Sequence, residues 1–195
     1  LLRGVDMEKS HPVPWFPAWG VKFQEPIEDL DYFIKKFNEF REDNRWALLA
    51  HDIVASEVHL WTAWYALRRK EERGETIART PDVEILRLIS GTHQIKLGFQ
   101  RAGIRYGDEM AWIVYLPDLT GTANFGEIEI PRSTYSSLDE DARKLSEYLG
   151  GTIIPKRPIP NLDGLKRIGI EGFENNLNNS EIEYLFLSHM SLSEL

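Results

Sequence analysis

Ile85-Leu86-Arg87-Leu88-Ile89-Ser90-Gly91-Thr92-His93-Gln94-Ile95-Lys96-Leu97-Gly98-Phe99-Gln100-Arg101-Ala102-Gly103-Ile104 is the stretch on which the reading of this chain turns. Its spacing predicts two helices in succession. The first closes at Ser90-Gly91; the second is opened by Thr92 and closed by Gly103, a left-handed cap position followed by the apolar Ile104. Ile95, Phe99 and Ala102 share one face of the second helix, and His93, Lys96 and Gln100 share another. A helix N-terminus carries amides without intrahelical partners and partial positive charge, which makes the junction a candidate anion site.

Working outward, Thr80-Pro81-Asp82 reads as the start of the first of these helices, with an N-cap, a proline at the first position and an acid in the first turn. Val83, Leu86 and Ile89 form its inner stripe. Upstream lies a helix over 53–73, apolar on most of its circumference and therefore buried, which ends in Arg68-Arg69-Lys70 and stops at Gly74. Before it come the strand-like run Trp46-Ala47-Leu48-Leu49-Ala50, a helix over 27–40 after Pro26, and a short strand over 21–24. Met110 to Leu116 is the clearest strand by β-branched and aromatic content.

Downstream, 117–134 reads as a long loop with a short strand at 128–130. A helix over 138–149 stops at Gly150-Gly151, and Pro155, Pro158 and Pro160 then force an extended connector. A short helix over 162–168, a last helix capped by Ser180, and a half-exposed strand over 189–195 with period-two alternation complete the chain. Residues 1–19 form an arm in which Pro12, Pro14 and Pro17 interleave with Trp15, Phe16 and Trp19. These rings either cover an edge of the domain, taken as 20–195, or anchor a partner.

With 195 residues, 42% hydrophobic and 28% charged, the composition is that of one globular domain. No run approaches the roughly 20 apolar residues of a membrane-spanning helix. The absence of cysteine excludes disulfides and thiolate chemistry, and with no secretory signal in view a cytoplasmic location is expected. The net charge of -8 speaks against polyanions, but residues 68–105 hold nine basic and five acidic side chains, a local excess of four positive charges. That zone is either a polyanion footprint or the ordinary complement of helix C-termini and solvated faces.

Signs of catalysis do not assemble. His51-Asp52 is only a dipeptide, and the five histidines show no metal-ligand spacing. Glu57 and His59 stand two apart on a helix and do not share a face. Glu71-Glu72 sits in a charged helix end, and phosphate-cradling glycine patterns and Gly-x-Ser-x-Gly are absent. A binding protein is the expectation, with no catalytic residue, metal or cofactor.

Ala47-Leu48-Leu49-Ala50-His51-Asp52-Ile53-Val54-Ala55-Ser56-Glu57-Val58-His59-Leu60, then Thr62-Ala63, Gly74, Glu84 to Ile95 and Ala102-Gly103-Ile104, resembles the small regulatory subunit family of the KEOPS complex (TPRKB-like), in an archaeal style. The resemblance covers about 27 to 116 and resumes over 181–195, and its most specific part is Ser90-Gly91-Thr92-x-Gln94-Ile95. It implies a non-enzymatic protein that binds the PRPK-like kinase-ATPase subunit of KEOPS and grips the single-stranded 3′ CCA end of tRNA for threonylcarbamoyladenosine modification.

The resemblance also implies tRNA-binding residues: Arg87, Gly91, Thr92, His93, Gln94, Ile95, Lys96 and Arg101. The amides of Thr92 and His93 would meet phosphate, Lys96 and Arg101 would supply charge, and Ile95 would be a platform for a base. Members often carry arginine where this chain has His93, which weakens the implied charge contact, histidine being largely neutral near pH 7. A protein-only kinase activator that touches no RNA is the alternative. The predicted fold is α+β: one small, mostly antiparallel sheet from strands near 21, 46, 111 and 190, surrounded by helices.

Overall fold

Strand pairing decides how the helices are distributed. The computed structural model describes residues 15–118 and 130–193. Four strands, β1 (Ala18–Phe23), β2 (Trp46–Ala50), β3 (Met110–Tyr115) and β4 (Gly151–Ile154), form one antiparallel sheet in the order β2-β3-β1-β4. The helices among the described residues are α1 (Leu30–Phe40), α2 (Glu57–Arg73), α3 (Pro81–Ile89), α4 (Ile95–Ala102), α5 (Tyr135–Tyr148), α6 (Leu162–Ile168) and α7 (Asn179–Met190), and the class is α+β.

Both faces of the sheet are covered, which is why its strands read as continuous apolar runs. Trp46 and Leu48 of β2, with Ala111 and Ile113 of β3, pack with α1 and α5; Ala47, Leu49, Trp112 and Val114 pack with α2, α3, α6 and α7. The end of the aromatic arm enters this structure. Phe16 is 2% exposed and meets Trp64 edge-on, while Trp19 is 3% exposed and packs on Trp46 in the opposite core. Residues 15–19 thus belong to the domain, and the arm's earlier residues lie outside the described ones.

Local chemistry moves several boundaries. α1 begins three residues later than expected because Asp29 caps it, accepting the Tyr32 amide at 2.9 Å. Ser56 likewise caps α2, so His51–Ile53 becomes a separate 3-10 turn. Asn178, not Ser180, caps α7 in a reciprocal box with Glu181.

The expected strand over 189–195 is not formed among its described residues: α7 runs to Met190 and a 3-10 turn follows over Ser191–Ser193. The fourth strand is Gly151–Ile154 instead, which the nearby prolines obscured. Gly150, at φ 77°, turns the chain out of α5, and a Cβ on Gly151 would run into Val21 of the paired strand. The strand expected at 128–130 lies outside the described residues except for Ile130, which is buried and not in a strand.

Candidate functional site

The α3–α4 junction is built from the inside. α3 is buried nearly all round: beside Ile85, Leu86, Leu88 and Ile89, the charged Glu84 and Arg87 are both 0% exposed. Two charges leave water together only when their polar atoms are met. Here Arg87 Nη2 and Nε donate to Glu84 Oε1 at 2.6 and 3.2 Å, and the Ala78 amide donates to Glu84 Oε2 at 2.8 Å. Arg87 Nη1 reaches the Thr92 carbonyl at 2.8 Å and the Ser193 carbonyl at 3.4 Å. Arg87 is therefore not on the surface; it holds the junction from beneath.

The Ser90 carbonyl is fixed by two further donors, Arg101 Nη1 at 3.3 Å and His189 Nε2 at 3.1 Å. Burial lowers the His189 pKa below its ordinary value, against the raising effect of this hydrogen bond, so a neutral ring donates at neutral pH. Gly91 takes φ 61°, and a Cβ there would strike the His189 carbonyl and ring. Thr92 is 8% exposed; its amide is engaged with the Arg87 carbonyl at 3.3 Å and its hydroxyl accepts the Gln94 amide at 3.1 Å.

This corrects the expected helix start. α4 begins at Ile95 with Gln94 as N-cap, so the amides without intrahelical partners belong to 95–97 rather than to Thr92 and His93. Gly103 is not left-handed but extended, at φ -75° and ψ 162°. A Cβ on Gly103 would lie 2.6 Å from the Phe99 carbonyl oxygen, and one on Gly98 would lie 3.1 Å from the Arg87 Cα, where α4 meets α3. The expected face of Ile95, Phe99 and Ala102 divides, Ala102 being fully buried while Ile95 and Phe99 are 38% and 43% exposed.

His93, Gln94, Ile95 and Lys96 are thus neighbouring, solvent-exposed side chains, and Lys96 makes no ion pair with a described residue. Arg101 is half-buried between Ser90 and Gly169, whose Cβ position lies 2.6 Å from Arg101 Nη2. The +4 zone does not become one patch. Arg68 is paired with Glu71 and Asp118 at the end of α2, Arg87 is internal, and Arg105 donates to the Gln100 carbonyl. His189 and Ser193, which complete the junction, were not anticipated, because their contacts cross about a hundred residues.

The groups weighed for catalysis are dispersed. His51 stacks on Trp112 with centroids 5.5 Å apart, Asp52 pairs with Arg167 at 3.2 Å, and Glu57 pairs with Arg157. His59 is fully buried; burial lowers its pKa to about 4, and its Nδ1 accepts the Ala55 amide at 3.3 Å. Among the described residues no cluster of three or more His, Cys, Asp and Glu could hold a metal ion. A second concavity, about 670 Å³, lies between α1 and α3–α4, with Ile34, Phe37, Leu86, Phe99 and Ile104 in its lining.

Compared with known proteins, the chain matches no protein-family model, and no curated protein matches it. What stands on structure is the class: an α+β protein with a hydrogen-bonded helix junction presenting a small exposed surface. Among the described residues no helix is long and apolar enough to cross a membrane.

Proposed function

We propose that this chain is a non-catalytic, cytoplasmic subunit of a KEOPS-type complex, which binds the kinase-ATPase subunit and brings it tRNA through the 3′ CCA end for threonylcarbamoyladenosine formation. The observation that supports this best is the exposed run His93-Gln94-Ile95-Lys96 above a junction held rigid from below. Single-stranded ends are recognised by a few stacking and phosphate contacts on a preorganised surface. Ile95 offers an apolar platform, Lys96 a cation with no ion-pair partner among the described residues, and the first turn of α4 its amides. Arg87, Gly91, Thr92 and Arg101 act here by positioning that surface.

A second reading, a protein-only activator of the kinase, is favoured by the apolar lining of the concavity between α1 and α3–α4. Binding of intact tRNA and of tRNA lacking its CCA end separates the two. The first reading expects the truncated tRNA to bind at least about tenfold more weakly. Equal binding of both, or binding of neither, overturns it.

A further inference from the structure

Away from the junction, a cavity of about 780 Å³ opens between the start of β1, the connector after β4 and the N-terminal half of α5. One wall is aromatic. Tyr135 stacks on Trp19 with ring centroids 6.0 Å apart and planes inclined by 19°, and Trp15 meets Tyr135 edge-on at 5.6 Å. Trp19 is fixed, because its indole N–H donates to Asp139 Oδ1 at 2.9 Å and Arg143 Nε donates to Asp139 Oδ2 at 2.9 Å. Burial pushes the Asp139 carboxyl up, but hydrogen bonds from Arg143, Trp19 and Tyr135 outweigh it and hold the group below its ordinary range. The stack ends on Tyr135, which is 40% exposed.

The remaining walls carry charge. Arg143 is matched by Asp139, and Arg157 by Glu57. Arg132 and Lys156 also line the cavity, both are exposed, and neither makes an ion pair with a described residue. Among the described residues the opening therefore holds two unmatched positive charges, on a chain of net charge -8. A plain anion would leave the fixed ring stack unused, and a neutral apolar ligand would leave the two cations unused. A nucleobase joined to a phosphate uses both, the base lying against the rings and the phosphate meeting guanidinium and ammonium.

We propose that the Trp15–Trp19–Tyr135 cavity is a binding site for a base and its phosphate, taken either as a free nucleotide or as one unit of a single-stranded nucleic acid. The proposal does not rest on the tRNA-end reading, which concerns α4.

The test is calorimetric titration of the full chain at low salt with AMP, with an oligoadenylate of about eight nucleotides, and with inorganic pyrophosphate. AMP binding as tightly as the oligomer identifies a free nucleotide as the source; an oligomer binding about tenfold tighter or more identifies a strand. In either case Tyr135→Ala weakens binding about tenfold or more, and Tyr135→Phe retains it. The exposed pair Arg132→Glu with Lys156→Glu weakens it about tenfold and flattens its salt dependence, which keeps the test open should Tyr135→Ala not fold. Three results overturn the proposal: no binding of AMP or oligomer at millimolar concentration, binding untouched by these variants, or pyrophosphate binding as tightly as AMP.

Discussion

Helices α3 and α4 flank one glycine and carry the same kinds of residue, yet the fold uses them in opposite ways. In α3, residues 84–89 are wholly inside, charges included; α4 buries Gly98 and Ala102 and leaves its first turn in water. Arg87 and Lys96 differ accordingly. One is a structural strut with four hydrogen-bonded acceptor contacts, the other an exposed ammonium with no ion pair among the described residues. Charge along a sequence therefore says little about charge on a surface, because the support of a site and its face can draw on the same residue types.

The comparison can be broken most severely at the strut. Arg87→Ala leaves Glu84 buried and uncompensated, and a loss of about 3–5 kcal/mol in urea-unfolding stability is expected. Stability within about 1 kcal/mol of the parent would show that the pair is not internal.

His59 tests the same rule on a buried group that is only half satisfied, since its Nε2 has no hydrogen-bond partner among the described residues. Its folded pKa of about 4 lies below the ordinary 6.5, so the unfolded chain binds the extra proton first. Stability from this group is full above about pH 6.5 and falls as pH drops toward 4, by about 2–3 kcal/mol at pH 4.5. Denaturant midpoints against pH should show this fall, and His59→Gln should flatten it.

Gly91→Ala combines a left-handed backbone with a clash against His189. About 2 kcal/mol of destabilisation is expected, read as a lowered melting temperature. The smallest stability effect belongs to Ile95→Glu and Lys96→Glu, within about 0.5 kcal/mol. Their effect on tRNA binding should nonetheless be large, about tenfold or more in a filter-binding titration. Loss of folding in either variant would place those side chains in the core and remove the contrast with α3.

Much of the fold was legible because helical spacing and glycine stops are local signals. α6 lies over 162–168 as expected, α2 ends at Gly74, and three of the four strands were found. β4 was missed because its four residues carry too short a pattern beside three prolines, and its identity depends on pairing with β1. At the junction, the exposure of His93 and Lys96 follows from the polar face they share with Gln100, whereas that of Ile95 does not, because its spacing with Phe99 and Ala102 reads as an inner face. The interior position of Arg87 does not, because Glu84 and Arg87 at i and i+3 read the same whether the pair faces water or the core.

The strand order carries a consequence for synthesis. β1 is made first, yet it is flanked by β3 and β4, so it waits for Met110 and then for Gly151 before either edge is met. β2 pairs with β3 across the segment holding α2, α3 and α4. At about 5–20 residues per second, β1 spends several seconds on the ribosome before a strand partner exists. During that interval Trp19, Val21 and Phe23 have no sheet to enter, and this is the window in which a chaperone that masks apolar β-segments would matter most for the yield of folded chain.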